Sequence, residues 1–176
     1  MSAAKNWCNF STQTLVPNEQ FVQLLFQIIE NNQTLFSRAM SVLKKLLVVS
    51  RYAKALEHMS TKEAFTSIPE KDKAFLQSLV MFLDRNRDNF VAECQKPFSE
   101  DDEDNVPYAR KFCSLITVLC SNYELLLIQP TQESAALFRL MKDCAGSQNQ
   151  RIAIHSLDFW DPFAETITTT IPNLKE

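Results

Sequence analysis

Residues 107–127 read PYARKFCSLITVLCSNYELLL, and within them Phe112, Ile116, Leu119, Tyr123 and Leu126 recur at steps of four and three. With 3.6 residues per turn, that spacing brings all five to one edge of an α-helix, whereas a half-buried strand would alternate every second residue. Cys113 and Cys120 widen the edge. Pro107 stands at the start, where a missing N–H costs nothing because the first helical donors have no partner.

The same period continues on both sides. Pro130 with Thr131 opens a helix carrying Ala135, Phe138, Met141 and Cys144, and Gly146 stands where a left-handed C-cap is wanted. The next helix carries Ala153, Leu157 and Trp160 up to Pro162, whose ring disfavours helical geometry at Asp161. Asp161 as N-cap of a new turn is the better fit, so the helix kinks or restarts before running on through Phe163 and Ile167.

Towards the amino end, Ser60 to Glu63 and Ser67 to Glu70 each fit the capping box, in which hydroxyl and carboxylate satisfy two free N–H groups. They introduce a helix repeating Phe75, Leu79, Phe82, Leu83 and Phe90, with a break allowed at Arg85–Asp88 and a fade towards Pro97. Pro17 and Asn18 announce a first helix with Phe21, Leu24, Leu25, Ile28 and Ile29 on one side, ending near Asn32. A second, over about 34–59, carries Leu35, Phe36, Ala39, Met40, Leu43, Leu46 and Leu47.

Six helices joined by mostly short turns make three antiparallel pairs, roughly 18–59, 70–128 and 131–170. The expected fold is all-α, a HEAT-like helical-repeat solenoid with helices 34–59, 107–128 and 149–168 in one layer. A compact six-helix bundle has the same periodicity. The expected organisation is an irregular segment 1–16, a helical-repeat domain 17–170 with an acidic loop 99–106, and a tail 171–176.

Composition narrows function. One glycine in 176 residues excludes phosphate-cradling loops, which need several to let backbone N–H groups approach a nucleotide. A hydrophobic content of 45% with a net charge of −3 supports a folded core. Five cysteines without a C-x-x-C pair, and no apolar run near the roughly 20 residues a bilayer demands, predict a reduced, soluble, intracellular protein.

The segments Tyr108–Tyr123, Leu137–Gly146 and Ser156–Trp160 resemble the importin-β-like nuclear transport receptors, and the transportin-SR branch most nearly. In that branch a helix ending in Cys-Ala-Gly, here Cys144-Ala145-Gly146, is followed by a short polar turn. The next helix ends in Asn-Phe-Trp or Asp-Phe-Trp, here Asp158-Phe159-Trp160. The resemblance is carried by about residues 107–165. Family members are several times longer, so the chain resembles an interior piece or a shortened relative. It implies recognition of protein cargo, commonly basic, in transport between nucleus and cytoplasm. Ran is an implied partner of a full-length receptor, but the family's Ran-binding region has no match here.

Glu100-Asp101-Asp102-Glu103-Asp104 is a self-repelling run of carboxylates, expected to be extended and solvated. Its functional reading is a protein-binding lure that raises the encounter rate of a basic cargo. No catalytic, cofactor or metal site is expected. His58 and His155 are the only histidines and lack ligand spacing to the cysteines, and nothing marks an orienting group for a Cys-His pair. Phe159 and Trp160 read better as packing than as a partner's anchor, since Trp160 is in phase with Ala153 and Leu157. Arg38, Lys44, Lys45, Arg51 and Lys54 read as a solvated face; the acidic balance argues against nucleic acid. The other readings are a scaffold or adaptor without a transport role and a helical-bundle enzyme.

Overall fold

The computed structural model describes residues 18–49, 70–96, 108–128 and 131–170, and the regular structure in them is entirely helical, with no strand. The chain divides into two units, Met1–Phe82 and Leu83–Glu176.

In the first unit, α1 (Glu19–Asn31) starts at Asn18, whose side-chain oxygen accepts the Gln20 N–H at 2.9 Å. Asn32 then ends one helix and begins the next. Its backbone N–H donates to the Ile28 carbonyl at 2.9 Å and its carbonyl accepts from Phe36 at 2.9 Å. Its side-chain oxygen accepts from the Leu35 N–H at 3.0 Å. One extended residue thus satisfies donors and acceptors of both helix ends, and α2 (Gln33–Val49) packs back on α1.

The buried face of α1 is Val22, Leu25, Phe26 and Ile29. This corrects the expected stripe: Leu24 is 51% exposed, and Phe21 and Ile28 are half-buried. Apolar residues cover more than half the circumference of α1, so periodicity alone does not choose the centre of the arc. Packing does: Phe26 stacks on Phe82 of α3 (Glu70–Arg85) with centroids 4.2 Å apart and planes 5° from parallel. From α2 the core receives Ala39, Met40, Val42, Leu43, Leu46 and Leu47. Residues 50–69, with the rest of the expected second helix and both expected capping boxes as far as Pro69, lie outside the described residues.

In the second unit a turn at Asn86, within the polar run Arg85–Asp88, separates α3 from α4 (Arg87–Cys94). Next come α5 (Tyr108–Asn122), a single turn α6 (Glu124–Leu127), α7 (Gln132–Ala145) and α8 (Gln150–Thr170). Phe112, Ile116, Leu119 and Tyr123 are buried along the edge that their spacing predicts, with Cys113 and Cys120 beside them. That edge is wide enough for several neighbours: α5 packs against α4, α7 and α8, and α7 also against α4 and α8. Thr131 and Ser134 cap α7 reciprocally, each side-chain oxygen accepting the other's N–H at 3.1 Å. On α7 the buried face is Ser134, Ala136, Leu137, Leu140, Met141 and Cys144, while Ala135 is exposed.

Two local expectations are overturned. Gly146 has φ −83° and ψ 7°, not a left-handed conformation. Its N–H still donates to the Lys142 carbonyl at 2.9 Å, and the chain leaves the helix because Gln148 N–H and Ser147 Oγ both donate to the Cys94 carbonyl of α4, at 3.2 and 3.0 Å. The turn is held by a neighbouring helix, so no reversal at glycine is needed. Asp161 likewise does not cap a new turn, since α8 is one helix from Gln150 to Thr170 with Pro162 inside it. Phe159 and Phe163 lie on either side of the proline, stacked on each other at 4.9 Å, and Phe138 of α7 meets Phe163 at 5.5 Å. This aromatic packing outweighs the local disruption that a proline causes.

Candidate interaction surface

The carboxylates Glu100, Asp101, Asp102, Glu103 and Asp104, expected from sequence to meet a basic cargo, lie outside the described residues.

The thiols are core. Cys94, Cys113, Cys120 and Cys144 are free and buried. Cys113 Sγ donates to the Ile152 carbonyl at 3.8 Å and lies 4.0 Å from Thr117 Oγ1. Burial pushes the Cys94 thiol up to about 11 and Cys120 further up; a hydrogen bond to Cys113, with burial, raises Cys144 strongly. Those three thiols stay protonated near neutrality and are poor nucleophiles and poor metal ligands, whereas the hydrogen bond with Cys144 lowers Cys113, which is itself buried. Among the described residues no group of three or more His, Cys, Asp or Glu side chains is placed to share a metal ion. His155 faces Asp158, at 3.0 Å along its own helix, rather than a cysteine, and His58 lies outside the described residues.

Charged pairs fasten α7 to the helices beside it. Arg87 of α4 grips Asp143 with two guanidinium N–H groups, at 2.7 and 3.1 Å, and one helical turn away Arg139 reaches Asp84 of α3 at 3.3 Å. The bidentate pair has the planar match that makes arginine–carboxylate contacts directional. On α2, Arg38 is exposed while Lys44 and Lys45 are half-buried; Arg51 and Lys54 lie outside the described residues.

The aromatics of α8 divide by face. Phe159 is completely buried, and Trp160 is half-buried, 6.4 Å from Phe138, with its indole N–H shielded from solvent and without a hydrogen-bond partner. The face that enters the core is Ile152, Ser156, Phe159 and Phe163. Leu157, in phase with Trp160 and so expected inside, is 50% exposed, and Ile154 one turn before it is 63% exposed. The remaining exposed large apolar side chains among the described residues, Leu24 and Met81, stand on different helices. Among the described residues α8 alone carries two such side chains, three residues apart.

Carboxylates continue that outward face: Asp158, Asp161 and Glu165 are exposed, at steps of three and four from Ile154 and Leu157. The sequence hides this face because Leu157 is in phase with Trp160 and so reads as core. A helical wheel centred on Phe159 and Phe163 places Ile154 and Asp161 opposite the core and would have found it. None of the described helices is long and apolar enough to cross a membrane.

Comparison with protein-family models, curated proteins and solved structures finds no match for this chain.

Proposed function

We propose that this chain is a protein-binding helical-repeat segment of the importin-β-like nuclear transport receptor type, recognising basic cargo in transport between nucleus and cytoplasm. The observation that carries the reading is where the resembling motif falls. Cys144-Ala145-Gly146 spans the end of α7, a short polar turn follows, and Asp158-Phe159-Trp160 lies on α8, so the motif coincides with a helix–turn–helix joint. Cys144 and Phe159, a residue from each half of the motif, are both fully buried.

The neighbours of the joint support a solenoid of stacked pairs. Within the second unit α4 packs on α7 while α5 packs on α8, the arrangement expected when the first and second helices of consecutive pairs form separate layers. Repeat proteins of this kind bind partners over side chains presented by successive helices.

The test is titration of a lysine- and arginine-rich protein domain against the chain, with an acidic domain of similar size as control. Saturable binding of the basic domain that weakens with salt is expected; equal, weak binding of both contradicts cargo recognition. Transport is tested separately, by adding the chain to permeabilised cells with a basic fluorescent reporter. A change in nuclear accumulation is expected, and unchanged accumulation with binding intact makes a scaffold without a transport role the better reading.

A further inference from the structure

Resting on the reading that the chain recognises proteins, we propose that the outward face of α8 is a docking site for a basic amphipathic helix of a partner protein. The partner sets apolar side chains on Ile154 and Leu157 and its lysines or arginines opposite Asp158, Asp161 and Glu165.

The geometry of α8 carries this. With Ile152, Ser156, Phe159 and Phe163 turned inward, Ile154 and Asp161 stand on the opposite side of the helix. Ile154 and Leu157 leave more than half and half of their surfaces in water, and the half-buried Trp160 continues the apolar edge from Leu157 towards the core. Burying such adjacent side chains drives association in proportion to the apolar area removed from water. Glu165 lies eleven positions after Ile154, so the face is about 16 Å long at 1.5 Å per residue, the reach of roughly three turns of a partner helix.

Charge selects the occupant. By sequence α8 carries three carboxylates, Asp158, Asp161 and Glu165, against one arginine, Arg151, and no lysine, and although His155 lies 3.0 Å from Asp158 the helix is net negative. A nucleic acid, an anionic membrane or an acidic protein is repelled by that field, whereas a basic segment is drawn to it. The apolar pair at one end and the carboxylates at the other also impose a direction. A partner helix needs two apolar side chains three residues apart, with basic side chains over its next two turns on the same face.

The experiment uses the whole chain with Trp7→Phe, so that Trp160 is the only tryptophan, and a labelled amphipathic peptide of leucine, lysine and alanine built to that pattern. A twin with glutamate for each lysine is the control. Anisotropy of the label gives affinity, and Trp160 emission reports a ligand on α8. The lysine peptide should bind and alter Trp160 emission, and the glutamate twin should do neither. Ile154→Gln with Leu157→Gln, and separately Asp161→Asn with Glu165→Gln, should each weaken binding by about tenfold or more. All four positions are exposed, so circular dichroism should match that of the unsubstituted chain. Neutralising Asp101, Asp102, Glu103 and Asp104 should leave the α8 affinity within about threefold, because the apolar anchor is retained.

Failure to bind the lysine peptide, or equal affinity for the unsubstituted chain and both α8 variants, overturns the docking site. Binding lost only when the acidic run is neutralised overturns this location while keeping recognition of basic partners. Self-association abolished by the same α8 substitutions overturns the choice of partner in favour of a second copy of the chain.

Discussion

Between α1 and α2 the chain turns on one residue, Asn32, whose backbone and side chain serve both helix ends; between α7 and α8 it takes four residues and leans on the Cys94 carbonyl of α4. The first joint is satisfied by groups within four residues of it. The second borrows an acceptor more than fifty residues earlier in the chain. The difference separates what neighbouring residues dictate from what packing dictates. The end of α1 near Asn31–Asn32 is readable from the sequence, whereas the conformation of Gly146 is not, because the group that replaces a left-handed cap comes from another helix.

The sharpest way to break this contrast is at the aromatic cluster that keeps α8 whole. Phe159→Ala removes a fully buried ring beside Pro162 and should cost about 3–5 kcal/mol of stability in chemical denaturation. It should also lower helical circular dichroism, as the second half of α8 loses its hold on α7. Full helicity with a loss below about 1 kcal/mol would mean that α8 tolerates its proline without tertiary help. Trp160→Ala, at a half-buried position, should cost less than Phe159→Ala.

At the local joint, Asn32→Ala deletes the acceptor of the Leu35 N–H and should cost about 1–2 kcal/mol, with the first unit melting earlier. At the borrowed joint, Ser147→Ala removes one of two donors to the Cys94 carbonyl and should cost about 0.5–1.5 kcal/mol. Hydrogen exchange sharpens the comparison. Ser147→Ala should speed exchange in α4 and α8 together, whereas Asn32→Ala should affect only the adjoining turns of α1 and α2.

The smallest expected effect has the opposite sign. Gly146 has an ordinary negative φ, and a Cβ placed there would lie 3.4 Å from the Lys142 carbonyl oxygen. Gly146→Ala should therefore stabilise by about 0.4–1 kcal/mol through reduced freedom of the unfolded chain. A loss instead would restore the left-handed cap that the sequence suggested.

Helix positions were legible over the described residues because a 3.6-residue period survives any choice of neighbour: α5 buries Phe112, Ile116 and Leu119 as read. Helix number was not, since the expected helix 107–128 is divided by a turn at Tyr123 and the helix before it by a turn at Asn86, which gives eight described helices where six are expected. The centre of each buried face was less so. In α1 the surplus of apolar residues let Phe21 and Leu24 stand in for Val22 and Phe26, and only the stack of Phe26 on Phe82 decides between them. On α8 the phase of Trp160 drew Leu157 inward on paper, hiding the face that emerges as the candidate for recognition. The acidic run was legible as charge alone, since five adjacent carboxylates carry no period from which contacts can be read.

Whether α8 presents a recognition surface for basic partners is decided by following backbone amide resonances of this 20.2 kDa chain while the lysine peptide is added. Shifts should concentrate between Ile154 and Glu165 and saturate with the affinity seen by anisotropy, while resonances of α1 and α2 stay in place. Saturable shifts centred on α1, α2 or the acidic run, with α8 unmoved, would contradict it.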